Sequence, residues 1–168
     1  AAMHVLSGKE GASWHDFFPW GYDERQYCSP GFNLPVGCLM RTPHGGYPEY
    51  HTSADNADLV TPVAMADSLR AYLEVLQVLE EDRTYLNQKP CGEPKLGDYD
   101  LYPSLGGVGS IADLQLAIMW VLSASDGTAG LLDIAIRAGM PFSVIHDAAT
   151  RLARVGLIEE IRSQPHPG

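Results

Sequence analysis

The sequence predicts an α/β first half followed by an all-α tail, and three features carry that expectation. Short apolar pieces set among Gly, Pro, Tyr, His and Asp in residues 1 to about 60 read as buried strands. A long stretch from Thr61 repeats apolar residues at helical spacing, and the last third holds helix-length segments separated by glycine turns. With 168 residues, 45% of them hydrophobic and 19% charged, the chain can bury a core and lies in the ordinary globular range.

Taken in order, "AAMHVL" and "LPVGCLM" are the candidate strands. The stretch "TPVAMADSLRAYLEVLQVLEEDRTYLN" follows, with Thr61 as N-cap, Pro62 at the first helical position, and Ala66, Leu69, Leu73, Leu76 and Leu79 on one face. This is a long amphipathic helix. Residues 1–88 therefore form one region, and residues 89–103, with prolines among glycines and charges, form a linker.

Residues 104–168 make the tail. Ser110 and Asp113 stand in a capping-box arrangement before the apolar run Leu114 to Leu122, which ends at the turn "SASDG". A short helix "LLDIAIRAG" stops at Gly139, and Ser143 is the expected N-cap of "VIHDAATRLARVG", which stops at Gly156. Three helices with a tight turn between the second and third predict a helix-turn-helix, and "LIEEI" supplies one strand of a wing.

A formal net charge of −10 works against non-specific attraction to nucleic acid or anionic membranes. DNA reading by the third tail helix would use Arg151 and Arg154 on phosphate, yet the tail carries four arginines and no lysine against six carboxylates. A packing, oligomerisation or substrate-covering role fits that balance better. Cys28, Cys38 and Cys91 form no C-x-x-C pair, which fits a reduced, cytoplasmic setting and no thiolate zinc site. No apolar run approaches the roughly 20 residues needed to span a bilayer, so no membrane partner is expected.

The candidate chemistry lies in "YPEYHTSADN", Tyr47 to Asn56, which lacks the period of helix or strand and reads as a structured loop. By itself His51 is either a metal ligand or a hydrogen-bonded loop histidine. Asp55 and Asn56 suit holding the turn. Upstream, Asp23, Glu24 and Arg25 read either as a local ion-pair network or as substrate-binding groups, with Gln26 beside them. Cys28 has no base nearby in sequence and reads as a structural thiol.

The ordered set "GYDERQYCSPGFNLPVGCLM", "EYHTSADN" and the long helix resembles the C-terminal end of the catalytic domain in di-zinc aminopeptidases and their relatives. With the helix-turn-helix tail included, nearly the whole chain looks like a bacterial family of aminopeptidase-like proteins carrying a C-terminal winged helix. The resemblance implies the C-terminal part of a zinc-exopeptidase-like three-layer α/β domain, a sheet with flanking helices, followed by an all-α winged helix-turn-helix. It implies that His51 is the last zinc ligand of a site for one or two ions, and that the Tyr50 phenol stabilises the tetrahedral oxyanion. Glu24, Arg25 and Gln26 then face the cleft, Glu24 holding a substrate amine or pairing with Arg25, and Arg25 gripping a substrate carboxylate.

The sequence departs from the family where most ligands should be. The bridging carboxylate, the Glu-Glu pair and the His-x-Asp pair are missing, and the stretches "WHDFF" and "VIHDAA" have the wrong spacing and place. One ligand cannot hold a catalytic zinc. The expectation is therefore the C-terminal portion of an enzyme about twice as long or more, hydrolysing a peptide or amide bond in a small substrate and inactive as this chain alone. The alternative is a non-catalytic interaction or homo-oligomerisation module using the tail as contact surface, and a weaker third is a transcription regulator.

Overall fold

The computed structural model describes residues 1–101 and 110–161, the side chains of residues 110–112 excepted. Two compact units are present, residues 2–74 and the chain from Val75 onward. No helix among the described residues is long and apolar enough to cross a membrane.

In the first unit, the two expected strands are absent. "AAMHVL" is taken up by α1 (Ala2–Ser7), as its good helix formers Ala, Met and Leu allow. "LPVGCLM" is irregular, and no strand among the described residues pairs with it. Its carbonyls turn instead to Cys28, whose Sγ donates to the oxygens of Leu34 and Val36, each at 3.3 Å. The stretch with Asp23, Glu24 and Arg25 falls in a short helix, α2 (Asp23–Tyr27). Within residues 2–74 only Ala71 is buried, while Trp20 is 84%, Phe18 70% and Phe32 69% exposed.

The long helix α3 spans Pro62–Glu81 and starts where expected: the Thr61 hydroxyl accepts from the Ala64 amide at 3.2 Å. Loops from earlier in the unit tie to its first turns. Arg41 donates to Asp67 at 2.6 Å, which holds the Asp67 carboxyl below its usual range, and the Tyr72 hydroxyl donates to the Leu39 carbonyl at 2.6 Å. The predicted apolar face is not the covered one. Leu69, Leu73, Leu76 and Leu79 are each more than half exposed, while Ala71 and Val78, elsewhere around the helix, are buried.

The helix ends earlier than its periodicity suggests, because "TYLN" is not its last turn. Thr84–Asn87 is strand β1, and it lies in the middle of a three-stranded antiparallel sheet of order β2-β1-β3. Strand β2 (Asp126–Gly130) begins within the expected turn "SASDG", and β3 (Ile158–Ile161) is the anticipated wing strand. Thr84 pairs with Gly130 on one side and with Ile161 on the other. The tail is therefore not all-α, and its sheet begins ahead of the 89–103 stretch.

Around that sheet pack α4 (Ser110–Ala124), α5 (Leu131–Ala138) and α6 (Phe142–Arg154). The core is one continuous set: Ile118 and Val121 of α4, Leu131 and Ile134 of α5, Ile145 and Leu152 of α6, and Leu157, all at most 1% exposed. Gly139 closes α5 at φ 63°, the left-handed cap that glycine adopts without strain. Ser143 is not the N-cap of α6. The helix begins two residues earlier, after Pro141, with Phe142 buried in the core. The expected capping box at Ser110 lies outside the described side chains.

The junction into this unit carries its own cap. Asp82, just past α3, accepts the Leu132 amide at 3.0 Å through Oδ1, while the Leu131 amide donates to the Arg83 carbonyl at 3.0 Å. Two free amides at the start of α5 are thus satisfied from a distant stretch of chain.

Candidate functional site

The loop carrying His51 is built from successive turns. Thr52 donates its hydroxyl to the Glu49 carbonyl at 2.7 Å and accepts the Ala54 amide at 3.2 Å. Asn56 accepts the Asp58 amide at 2.9 Å, and its own carbonyl receives the amides of Leu59 and Val60. This Asx turn delivers the chain to Thr61 and α3. Asp55 accepts the Tyr47 hydroxyl at 3.4 Å.

Between these turns His51 sits at φ 59°, in the left-handed region. Histidine visits it more readily than most side chains, but at a cost, and such outliers concentrate at functional sites. The imidazole is exposed and stacks on the Tyr50 ring at a centroid distance of 4.1 Å. Tyr50 in turn meets Tyr47 edge-on at 5.5 Å and His44 at 5.9 Å, and His44 meets Tyr22 edge-on at 4.5 Å. Hydrogen bonding with Tyr22 leads the causes that hold the Tyr50 phenol above the usual tyrosine range, followed by burial and the charges of Tyr22 and Tyr47. Tyr50 stays protonated through neutral pH and is available as a donor.

The second group of candidates stands on α2. Glu24 turns back on its own helix start, its Oε1 accepting the Tyr22 amide at 3.0 Å. The local ion-pair network among Asp23, Glu24 and Arg25 does not form. Arg25 and Gln26 are exposed, and Arg25 makes no hydrogen bond or ion pair among the described residues. No hydrogen bond or ion pair joins Glu24, Arg25 or Gln26 to Tyr50 or His51. Tyr22, the residue before α2, is what reaches the histidine loop. That ring cluster was missed from the sequence: Tyr47, Tyr50 and His51 are neighbours in the chain, but nothing local predicts that Tyr22 folds onto His44.

As a zinc site these residues fall short. Among the described residues no three His, Cys, Asp or Glu side chains converge on a metal position. A catalytic zinc takes three protein ligands and an open position, so His51 alone cannot retain one. Cys28, with its Sγ spent on two carbonyls, is a structural thiol.

In the second unit, α6 places Arg151 against Asp147 at 3.0 Å, one turn apart on the exposed face. Of the two arginines that would meet phosphate, Arg151 is paired in this way. Residues 83–160 match the family model described as winged helix-turn-helix. The C-terminal unit is a winged helix-turn-helix domain. Residues 1–82 match a second model, described as "Domain of unknown function (DUF4910)".

The chain is 50% identical over 144 residues to a Clostridium acetobutylicum protein named "Putative polysaccharide biosynthesis protein with aminopeptidase-like domain", a match covering 86% of this chain and 33% of that protein. It is similar to the crystal structure of a "putative peptidase" from the same organism, with 44% identity and a TM-score of 0.81, covering 95% of this chain and 35% of the other. The chain thus spans about a third of the length of each, its winged helix-turn-helix domain included.

Proposed function

We propose that this chain is the C-terminal part of a zinc-dependent aminopeptidase-like hydrolase acting on a peptide or amide bond in a small substrate. The carrying observation is the stacked pair of half-buried Tyr50 and exposed His51, held in a turn-locked loop, in a chain similar at 50% and 44% identity to proteins called aminopeptidase-like and peptidase. His51 supplies one zinc ligand, and the remaining ligands and the three-layer sheet come from chain beyond these residues. The uncovered leucines of α3 and the exposed aromatics of the first unit agree with a larger domain around them.

Tyr50 donates its phenolic hydrogen to the oxyanion that forms when the scissile carbonyl becomes tetrahedral. Arg25, uncommitted and exposed, binds a substrate carboxylate, with Gln26 beside it. Glu24 is held by the Tyr22 amide and keeps lone pairs free for a substrate amine. Three free thiols agree with a cytoplasmic location.

Metal analysis with zinc titration tests the reading. The full-length protein should hold about two zincs, as such two-metal sites do. His51→Ala should lose one or bind it more weakly, and the present chain alone should bind none. If the full-length protein holds no zinc, or its zinc ignores His51, the hydrolase reading fails. An interaction or homo-oligomerisation module then takes its place, a reading favoured by the negative tail and by Leu116 and Met119, which stand exposed on α4.

A further inference from the structure

We infer that Tyr22 and His44 are positioning residues for Tyr50, acting through a ring contact that joins the start of α2 to the histidine loop. This rests on the assignment of Tyr50 as the oxyanion donor.

The backbone on both sides of the contact is constrained. His44 sits in a tight turn in which the Gly46 amide donates to the Pro43 carbonyl at 2.8 Å, Gly45 has φ 75°, and a Cβ on Gly46 would stand 2.9 Å from the Pro43 oxygen. Glycine is required there, and the turn fixes where the imidazole emerges. Tyr22 is held by the hydrogen bond its backbone N–H donates to the Glu24 carboxylate, and a side chain on Gly21 would overlap that carboxylate.

From these two anchors the rings close on Tyr50. His44 packs at 38° to the phenol ring, Tyr47 stands at 74° to it on a shorter contact, and His51 lies nearly parallel to it. Edge-on and offset contacts of this kind are the favoured aromatic geometries. A partly exposed tyrosine otherwise samples several rotamers, and a donor aimed at a transient oxyanion works only if it is already in place. Removing His44 takes away the ring that contacts both Tyr22 and Tyr50 without altering either phenol.

The test uses the full-length protein labelled with 3-fluorotyrosine, the Tyr50 fluorine signal being identified by its loss in Tyr50→Phe. His44→Ala and Tyr22→Leu should shift and broaden that signal, while His44→Phe, which keeps a ring, should restore most of it. With aminoacyl p-nitroanilides as probes, His44→Ala should lower kcat by about tenfold to a hundredfold, the range expected when a reacting group is misplaced. KM and zinc affinity should stay within about twofold, because only the donor's placement has changed. An unchanged Tyr50 signal in both His44→Ala and Tyr22→Leu overturns the inference, as does a His44→Phe variant no better than alanine. If zinc binding ignores His51, the hydrolase reading falls by itself, and the fluorine signal still decides whether Tyr22 and His44 position Tyr50.

Discussion

Replacing His51 by Gly, Asn and Ala should separate two properties of one residue, its backbone strain and its imidazole. An alanine at φ 59° carries a left-handed cost of about 1–2 kcal/mol, while its stiffer unfolded chain returns about 0.4–1 kcal/mol relative to glycine. Glycine should therefore be more stable than alanine by roughly 0.5–1 kcal/mol. Both lose the stack on Tyr50 at 4.1 Å, which contributes about 0.5–1.5 kcal/mol, so His51→Gly should lie near the parent and His51→Ala below it. Asparagine, tolerant of this conformation, should fall between them. Urea denaturation of the full-length protein, read at unchanged slope, measures the order. Zinc affinity should drop alike in all three, since none can bind the metal as imidazole does. Alanine as stable as glycine would show that the loop does not hold this residue in the left-handed region, and a spared zinc site would show that the ring is not a ligand.

Three further outcomes follow from the geometry. Asp82→Ala should destabilise the winged helix-turn-helix domain by about 1 kcal/mol, the usual loss on removing a helix cap, while Asp82→Asn retains an acceptor and should lose less in the same denaturant titration. The Asp126 carboxyl is held below its usual range, chiefly by the Thr128 hydroxyl and then by the Thr128 amide, so it contributes stability above the unfolded aspartate pKa that is lost as pH falls through the folded value. Thr128→Val should raise the Asp126 pKa and remove part of that acid dependence, as carboxylate NMR titration would show. Arg25→Ala in the full-length protein should raise KM for probes bearing a free carboxylate and leave neutral probes unaffected; equal effects on both would remove its assigned role.

Sequence patterning reached the elements whose signals are local. The Thr61 cap and proline start of α3 appear as expected, as do the glycine stop of α5 and the strand after α6. Patterning failed where the deciding partner lies elsewhere in the chain. "TYLN" continues a helical run in composition, and only its pairing with Asp126–Gly130 and Ile158–Ile161 makes it a strand. Helical spacing identified the leucines of α3 as apolar-faced but could not say that the same face stands open in this chain. The candidate site divides the same way: Tyr50 and His51 are adjacent and legible, whereas the contact of Tyr22 with His44 depends on a fold between distant residues.

The middle strand also sets an order of events during synthesis. β1 leaves the ribosome before any of the three helices, yet its outer neighbours β2 and β3 come after α4 and α6. Until Ile161 has been made, Thr84–Asn87 can hold at most one partner, so the unit closes last on its most distant contact, an arrangement of high contact order. A polypeptide started after Asn87 would contain α4, α5 and α6 and both outer strands, with nothing between the strands to pair with, and each would offer a bare backbone edge to other molecules.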